Sequence, residues 1–127
     1  MLVTWERLLL IAAGGALGAL LRYGIEGLVD ARLGPTVLGT FAVNISGALA
    51  LGVFLGLTEG RWIAPPLARP AIAIVFLGAY TTFSTLAFET IDLAESGSLL
   101  TAFVNMAGSA AAGLAAMYAG LALGRNV

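Results

Sequence analysis

The sequence predicts an all-α membrane protein with four transmembrane helices per subunit, the third broken near its middle. Three observations carry this reading. Of the 127 residues 60% are hydrophobic and 10% charged, with a mean hydropathy of +1.00, whereas a soluble domain is about 25% charged. The apolar residues fall into four runs of roughly 20 residues or more, the length a membrane span requires. Finally, five of the six residues from Tyr80 to Thr85 carry a hydroxyl, inside an uncharged run from Pro70 to Phe88.

Composition also excludes functions. The chain has no Cys and no His. Disulfides, thiolate chemistry, haem-ligating and zinc-ligating histidines, and His-based acid–base catalysis are therefore absent. Without a Ser–His or Cys–His pair, a membrane protease is disfavoured and no enzyme is expected. The net charge is −1, from six Arg, no Lys and seven acids. No basic strip points to nucleic acid. The start, Met1-Leu2-Val3-Thr4-Trp5-Glu6-Arg7, lacks the basic region of a signal peptide, so the first apolar run is expected to stay in the protein. The whole chain, 1–127, reads as one domain.

The first helix is expected over about 8–29. Gly14-x-x-x-Gly18 on it gives a narrow face on which another backbone can lie. Arg22 and Glu26 follow four apart. They form either an intrahelical ion pair near the interface or, through Arg22, a positive vestibule at a pore mouth. The second helix is expected over about 36–58, opened by Pro35 and Thr36. Thr40, Asn44, Gly47 and Ala48 share one of its faces. Asn44 near mid-span needs a partner: it either glues helices together or offers its two N–H groups to a ligand. Gly52-x-x-x-Gly56 makes another close-packing face.

Glu59 to Pro66 reads as a polar, proline-rich loop, with Trp62 at the membrane interface. The third helix is expected over about 69–95, broken near 78–82. Gly78 gives a flexible joint there, and β-branched, hydroxyl-bearing residues follow it. A break exposes carbonyls from one half-helix and N–H groups from the other, both ion-binding by nature. Asp92 and Glu95 fit a solvated helix end, and Glu89 lies nearer the hydrocarbon, placed to bond inward. The fourth helix, about 98–124, carries a polar stripe of Thr101, Asn105 and Ser109, and ends in Gly120-x-x-x-Gly124. Four helices with a broken third leave the break poorly covered. An oligomer is therefore expected, most simply a dimer joined through small-residue faces and the break. The side bearing the N-terminus holds Arg7, Arg61, Arg69 and Arg125, which favours that side as the inner one.

Gly14-Gly15-Ala16-Leu17-Gly18-Ala19-Leu20-Leu21-Arg22, then Gly39-Thr40-x-x-x-Asn44, then Gly78-x-x-Thr81-Thr82-Phe83-Ser84-Thr85 with Glu89 following, resemble the Fluc (CrcB) fluoride channels over essentially the whole chain. The resemblance implies an antiparallel, dual-topology homodimer in the cell membrane with two fluoride pores, exporting fluoride passively and protecting the cell from it. It implies a structural Na⁺ at the dimer centre, held by the backbone carbonyls of Gly78 and Thr81. It places Thr40, Asn44, Phe83, Ser84, Thr85, Asn105 and Ser109 along the pore and Arg22 at its vestibule. Fluoride, lipid and a second copy of the chain are the partners implied.

Three positions depart from the family's pattern. Leu86 stands where a second pore Phe is frequent, and Tyr80 where smaller or aliphatic residues are usual. Val104, Asn105 or Met106 stands where the fourth helix commonly has a Tyr. The competing reading is a small, dual-topology, proton-coupled multidrug exporter, also a four-helix dimer. It requires an embedded carboxylate at the centre of the first helix, and Glu26 lies toward that helix's end.

Overall fold

A computed structural model describes residues 4–60 and 71–127. Among them the chain is helical, with no strand. Helix α1 spans Trp5–Leu33 and α2 spans Leu38–Thr58. The third helix comes in pieces: a π-helical turn, Ala71–Phe76, runs into the short α3, Leu77–Tyr80, and α4, Phe83–Glu95, follows after a gap. Helix α5 spans Leu99–Arg125. Three of these, α1, α2 and α5, are long and apolar enough to cross a membrane, and with the interrupted third helix they make a four-helix, multi-pass membrane protein. The expected loop with Trp62 and the expected start of the third helix at 69 lie outside the described residues.

Helix ends follow capping chemistry more closely than hydropathy. Helix α1 runs beyond 8–29 at both ends: Thr4 Oγ1 accepts from the Arg7 N–H, and Gly34 at φ 81° turns the chain so that its N–H donates to Asp30 O. Helix α2 starts two residues later than expected because Thr36 Oγ1 takes the Leu38 N–H at 2.8 Å, holding 36–37 in a turn. Between α4 and α5, Gly97 adopts φ 89° while the Ser98 N–H returns to Leu93 O at 2.9 Å. This closes a tight helical hairpin, with α5 one residue beyond the expected 98–124.

Packing rests on absent side chains. Helix α2 lies against α5, with Gly52 and Gly56 facing Gly120 and Gly124. A Cβ on Gly52 would sit 2.5 Å from Met117 O, and one on Gly56 2.7 Å from Leu121 O. On α1, a Cβ at Gly18 would overlap Phe76 O and lie 3.1 Å from Tyr80 N. These small-residue faces are therefore occupied within the chain. The expectation that small-residue faces join two copies therefore does not extend to these glycines. The reason is geometric: the slim stripes of α2 and α5 match each other in register and pack backbone to backbone. The buried apolar core is small, Val43, Leu77 and Tyr80 backed by Ile25, Leu51 and Phe76. Long apolar side chains cover the outside of α1 and α5 instead, as a lipid-facing surface requires.

Candidate functional site

The interruption lies at Thr81 and Thr82. The Thr81 N–H still donates to Leu77 O at 3.0 Å and closes α3. Thr82 is extended, φ −147° and ψ 116°. In a continuous helix its N–H would meet Gly78 O; here it donates to Asn44 Oδ1 at 2.7 Å, and Asn44 Nδ2 donates to Thr82 O at 3.0 Å. Asn44 thus acts as a surrogate peptide group from the neighbouring helix. It completes the buried Thr82 backbone and releases the Gly78 carbonyl from the helical ladder. Thr82 then caps α4, its Oγ1 accepting from the Thr85 N–H at 3.2 Å and lying 3.0 Å and 3.3 Å from the Thr85 and Ser84 hydroxyls. Gly78 itself lies inside α3, so the break comes from the Thr pair and Asn44 more than from the glycine joint.

An open groove of about 550 Å³ runs over this break, with Asn44, Gly78, Thr81, Thr82, Phe83 and Leu86 in its wall and apolar residues of α2 along its length. Phe83 is 73% exposed and Leu86 is buried. Among the described residues the groove wall contains no carboxylate. Arg22 reaches toward it from α1, its guanidinium donating to Thr81 O at 3.4 Å. Its hydrogen bond goes to that carbonyl and not to Glu26, four residues on. Glu26 packs on the bare backbone of Gly39, whose Cβ would lie 3.3 Å from the Glu26 Cα.

The other expected residues gather elsewhere, between α2, α4 and α5. Thr40, 2% exposed, gives its hydroxyl hydrogen to Glu89 Oε1 at 2.6 Å. Asn105 Nδ2 donates to Thr90 Oγ1 at 3.1 Å, and Thr90 in turn donates to Leu86 O at 2.7 Å. Asn105 and Ser109 line a second groove of about 320 Å³ beside Phe41 and Thr101. Among the described residues Glu26 Oε1, Glu89 Oε2 and Ser109 Oγ are buried without a hydrogen-bond partner. Buried polar atoms in that condition are places for water, an ion or a partner group. A single chain therefore holds two polar clusters, one at the break and one along α5.

Ser46, which meets the Tyr80 hydroxyl, and Thr90, which accepts from Asn105, are the polar groups that sequence spacing did not select. Tyr80 stood out as one hydroxyl of the 80–85 run and as an unusual residue in its motif, without its partner.

The family model for CrcB-like protein, Camphor Resistance (CrcB), matches residues 9–121. The chain belongs to the CrcB family. Curated relatives of similar length agree. A protein of Nitratidesulfovibrio vulgaris named fluoride-specific ion channel FluC is 42% identical over 96% of this chain and 99% of the relative. One of Maridesulfovibrio salexigens with the same name is 42% identical over 96% and 98%. One from Geobacter sp. is 45% identical over 94% and 98%. The CrcB match thus reaches every described helix, leaving out only the first turn of α1 and the last turn of α5, and includes both polar clusters.

Proposed function

We infer that this chain is a fluoride-selective channel, passing fluoride down its gradient out of the cell, and that it works as an antiparallel homodimer. The observation that carries the reading is the near full-length identity of 42–45% to proteins named for that activity. The pairing is supported by the open groove over the break. A membrane protein does not leave an interrupted, polar backbone facing lipid, and Gly78 at the break has nothing within 4 Å of where a Cβ would stand. A second copy is the natural cover.

Fluoride is small and strongly hydrated, so a narrow path must replace its water with donors. Asn44 uses one amide N–H on Thr82 and has a second to offer. The Ser109 hydroxyl is buried without a partner and can donate. Asn105 likewise keeps one amide N–H beyond its bond to Thr90. Phe83, exposed in one chain, presents a ring edge of positive character. Ser84 and Thr85 add hydroxyls beside it. Thr40 contributes differently: its only hydrogen holds Glu89, fixing that carboxylate at the side of the path. Several weak neutral sites in series let an anion enter and leave, where one strong site would trap it.

The Gly78 and Thr81 carbonyls fit a cation held at the meeting of two chains. The Gly78 oxygen is relieved of its helical partner by Asn44, and both residues lie in the groove wall with no carboxylate beside them among the described residues. Neutral carbonyls from two chains suit Na⁺ better than a divalent ion, which usually recruits carboxylates. The bound ion would neutralise converging carbonyl dipoles and so tie the copies together. Arg22, donating to the Thr81 carbonyl, adds a positive charge beside this site.

Purified protein in liposomes tests the function. Fluoride should leave passively, chloride should stay, and an imposed proton gradient should be unnecessary. Proton-driven movement of an organic cation with no fluoride flux would instead establish the exporter.

A further inference from the structure

Tyr80 is the last residue of α3 and only 5% exposed. Its hydroxyl lies 2.8 Å from Ser46 Oγ. The Ser46 hydrogen is directed back to Ala42 O at 2.6 Å, so Tyr80 is the donor in the pair. Its ring rests on Gly47, where a Cβ would stand 3.0 Å and 3.3 Å from Cδ1 and Cε1 and would also overlap the Thr81 methyl. One small slot on α2 therefore receives the residue before Thr81 and the side chain of Thr81 itself. On the other side, Asn44 holds both backbone groups of Thr82. Helix α2 thus holds the chain on both flanks of Thr81, whose own N–H and hydroxyl donate to Leu77 O within α3; its carbonyl accepts from Arg22, and the residue lies in the groove wall.

We propose that Tyr80 is a positioning residue for the cation site: its bond to Ser46 fixes the Thr81 carbonyl, and loosening that bond weakens cation-dependent pairing of two chains. The proposal rests on the reading of Gly78 and Thr81 as cation ligands given above. Its physical basis is preorganisation, since a ligand oxygen that must be ordered at binding costs affinity. One neutral hydrogen bond between side chains corresponds to a change of roughly fivefold in a binding midpoint.

The experiment measures the dimer fraction of the full chain in detergent by mass photometry, with Na⁺ replaced stepwise by N-methylglucamine at constant ionic strength. The parent should show a Na⁺ midpoint. Tyr80→Phe and Ser46→Ala should each raise it about fivefold, and the double variant should raise it no further, because both remove the same bond. Ser46→Thr keeps the hydroxyl and should restore the parent midpoint, and saturating Na⁺ should restore full pairing in every variant. Ser46 is exposed, so its substitutions give a test that does not depend on refilling a buried ring site. Unchanged midpoints in Tyr80→Phe and Ser46→Ala overturn the proposal and leave the cation reading standing. Pairing lost beyond rescue by Na⁺ also overturns it, as the mark of a merely structural bond. A parent curve that is flat in Na⁺ overturns the proposal and the cation reading together.

Discussion

Truncating Asn44 to Ala removes the group that stands in for a helical peptide at the break. Asn44 makes two hydrogen bonds to Thr82, at 2.7 Å and 3.0 Å, and Thr82 is 6% exposed. Each buried backbone group left without a partner costs about 1–3 kcal/mol, so the immediate loss is about 2–6 kcal/mol. The chain can recover part of this in one way. The Thr82 N–H can fall back onto Gly78 O, making the third helix more continuous and withdrawing the Gly78 carbonyl from any ligand. The net cost then settles near the lower figure, about 2 kcal/mol, but the repair closes the break. Asn44→Asp separates the two effects. It keeps an acceptor for the Thr82 N–H, sets a carboxylate oxygen against Thr82 O in place of a donor, and adds negative charge along an anion path. The assays are resistance to SDS-induced unfolding and initial fluoride efflux from liposomes. Asn44→Ala should unfold earlier and conduct poorly, while Asn44→Asp should retain its fold and lose conduction. An Asn44→Ala protein as stable as the parent and conducting at the parent rate would refute the surrogate-peptide argument.

Phe83→Leu replaces an exposed ring edge at the groove and should slow fluoride efflux by roughly tenfold, about 1.4 kcal/mol in the barrier, whereas Leu86→Phe should be tolerated. Parent-like efflux in Phe83→Leu would mean that hydroxyls and amides suffice. Gly120→Ala places a methyl against Leu49 O and 2.9 Å from Val53 N; it should destabilise by about 1–3 kcal/mol in the same unfolding assay, while Gly108→Ala, with nothing within 4 Å of its Cβ, should not. Thr40→Val removes the donor to Glu89 Oε1 when Glu89 Oε2 already lacks a partner, so a further loss of about 1–3 kcal/mol is expected in that assay.

Much of this was legible from residue order because membrane helices announce themselves by length and polarity, and because a hydroxyl-rich run in an apolar segment is chemically out of place. Helix ends were less legible. Hydropathy marks where lipid stops, but α1 continues to Thr4 and Gly34, where caps are available. The Asn44 spacing allowed glue or donor, and the structure gives it the first role toward Thr82 while leaving an N–H for the second. Long-range pairings could not be read from spacing at all. Nothing local in Tyr80 names Ser46, and nothing in Arg22 names the Thr81 carbonyl. The glycine stripes signalled close packing, read there as contact between two copies, and Gly52 and Gly56 met Gly120 and Gly124 of the same chain.

The facing glycines of α2 and α5 also bear on how the chain is made. Synthesis runs from the N-terminus, so α2 enters the bilayer well before the helix that fits its bare stripe exists. Until α5 emerges, α2 has only α1 and the pieces of the third helix against it, and its slim face lies open to lipid. The backbone-to-backbone seam is thus made only after α1, α2 and the pieces of the third helix have left the ribosome. A chain halted before Gly120 would reach the membrane without its closing element, and α5 supplied as a separate peptide is the natural complement to restore it.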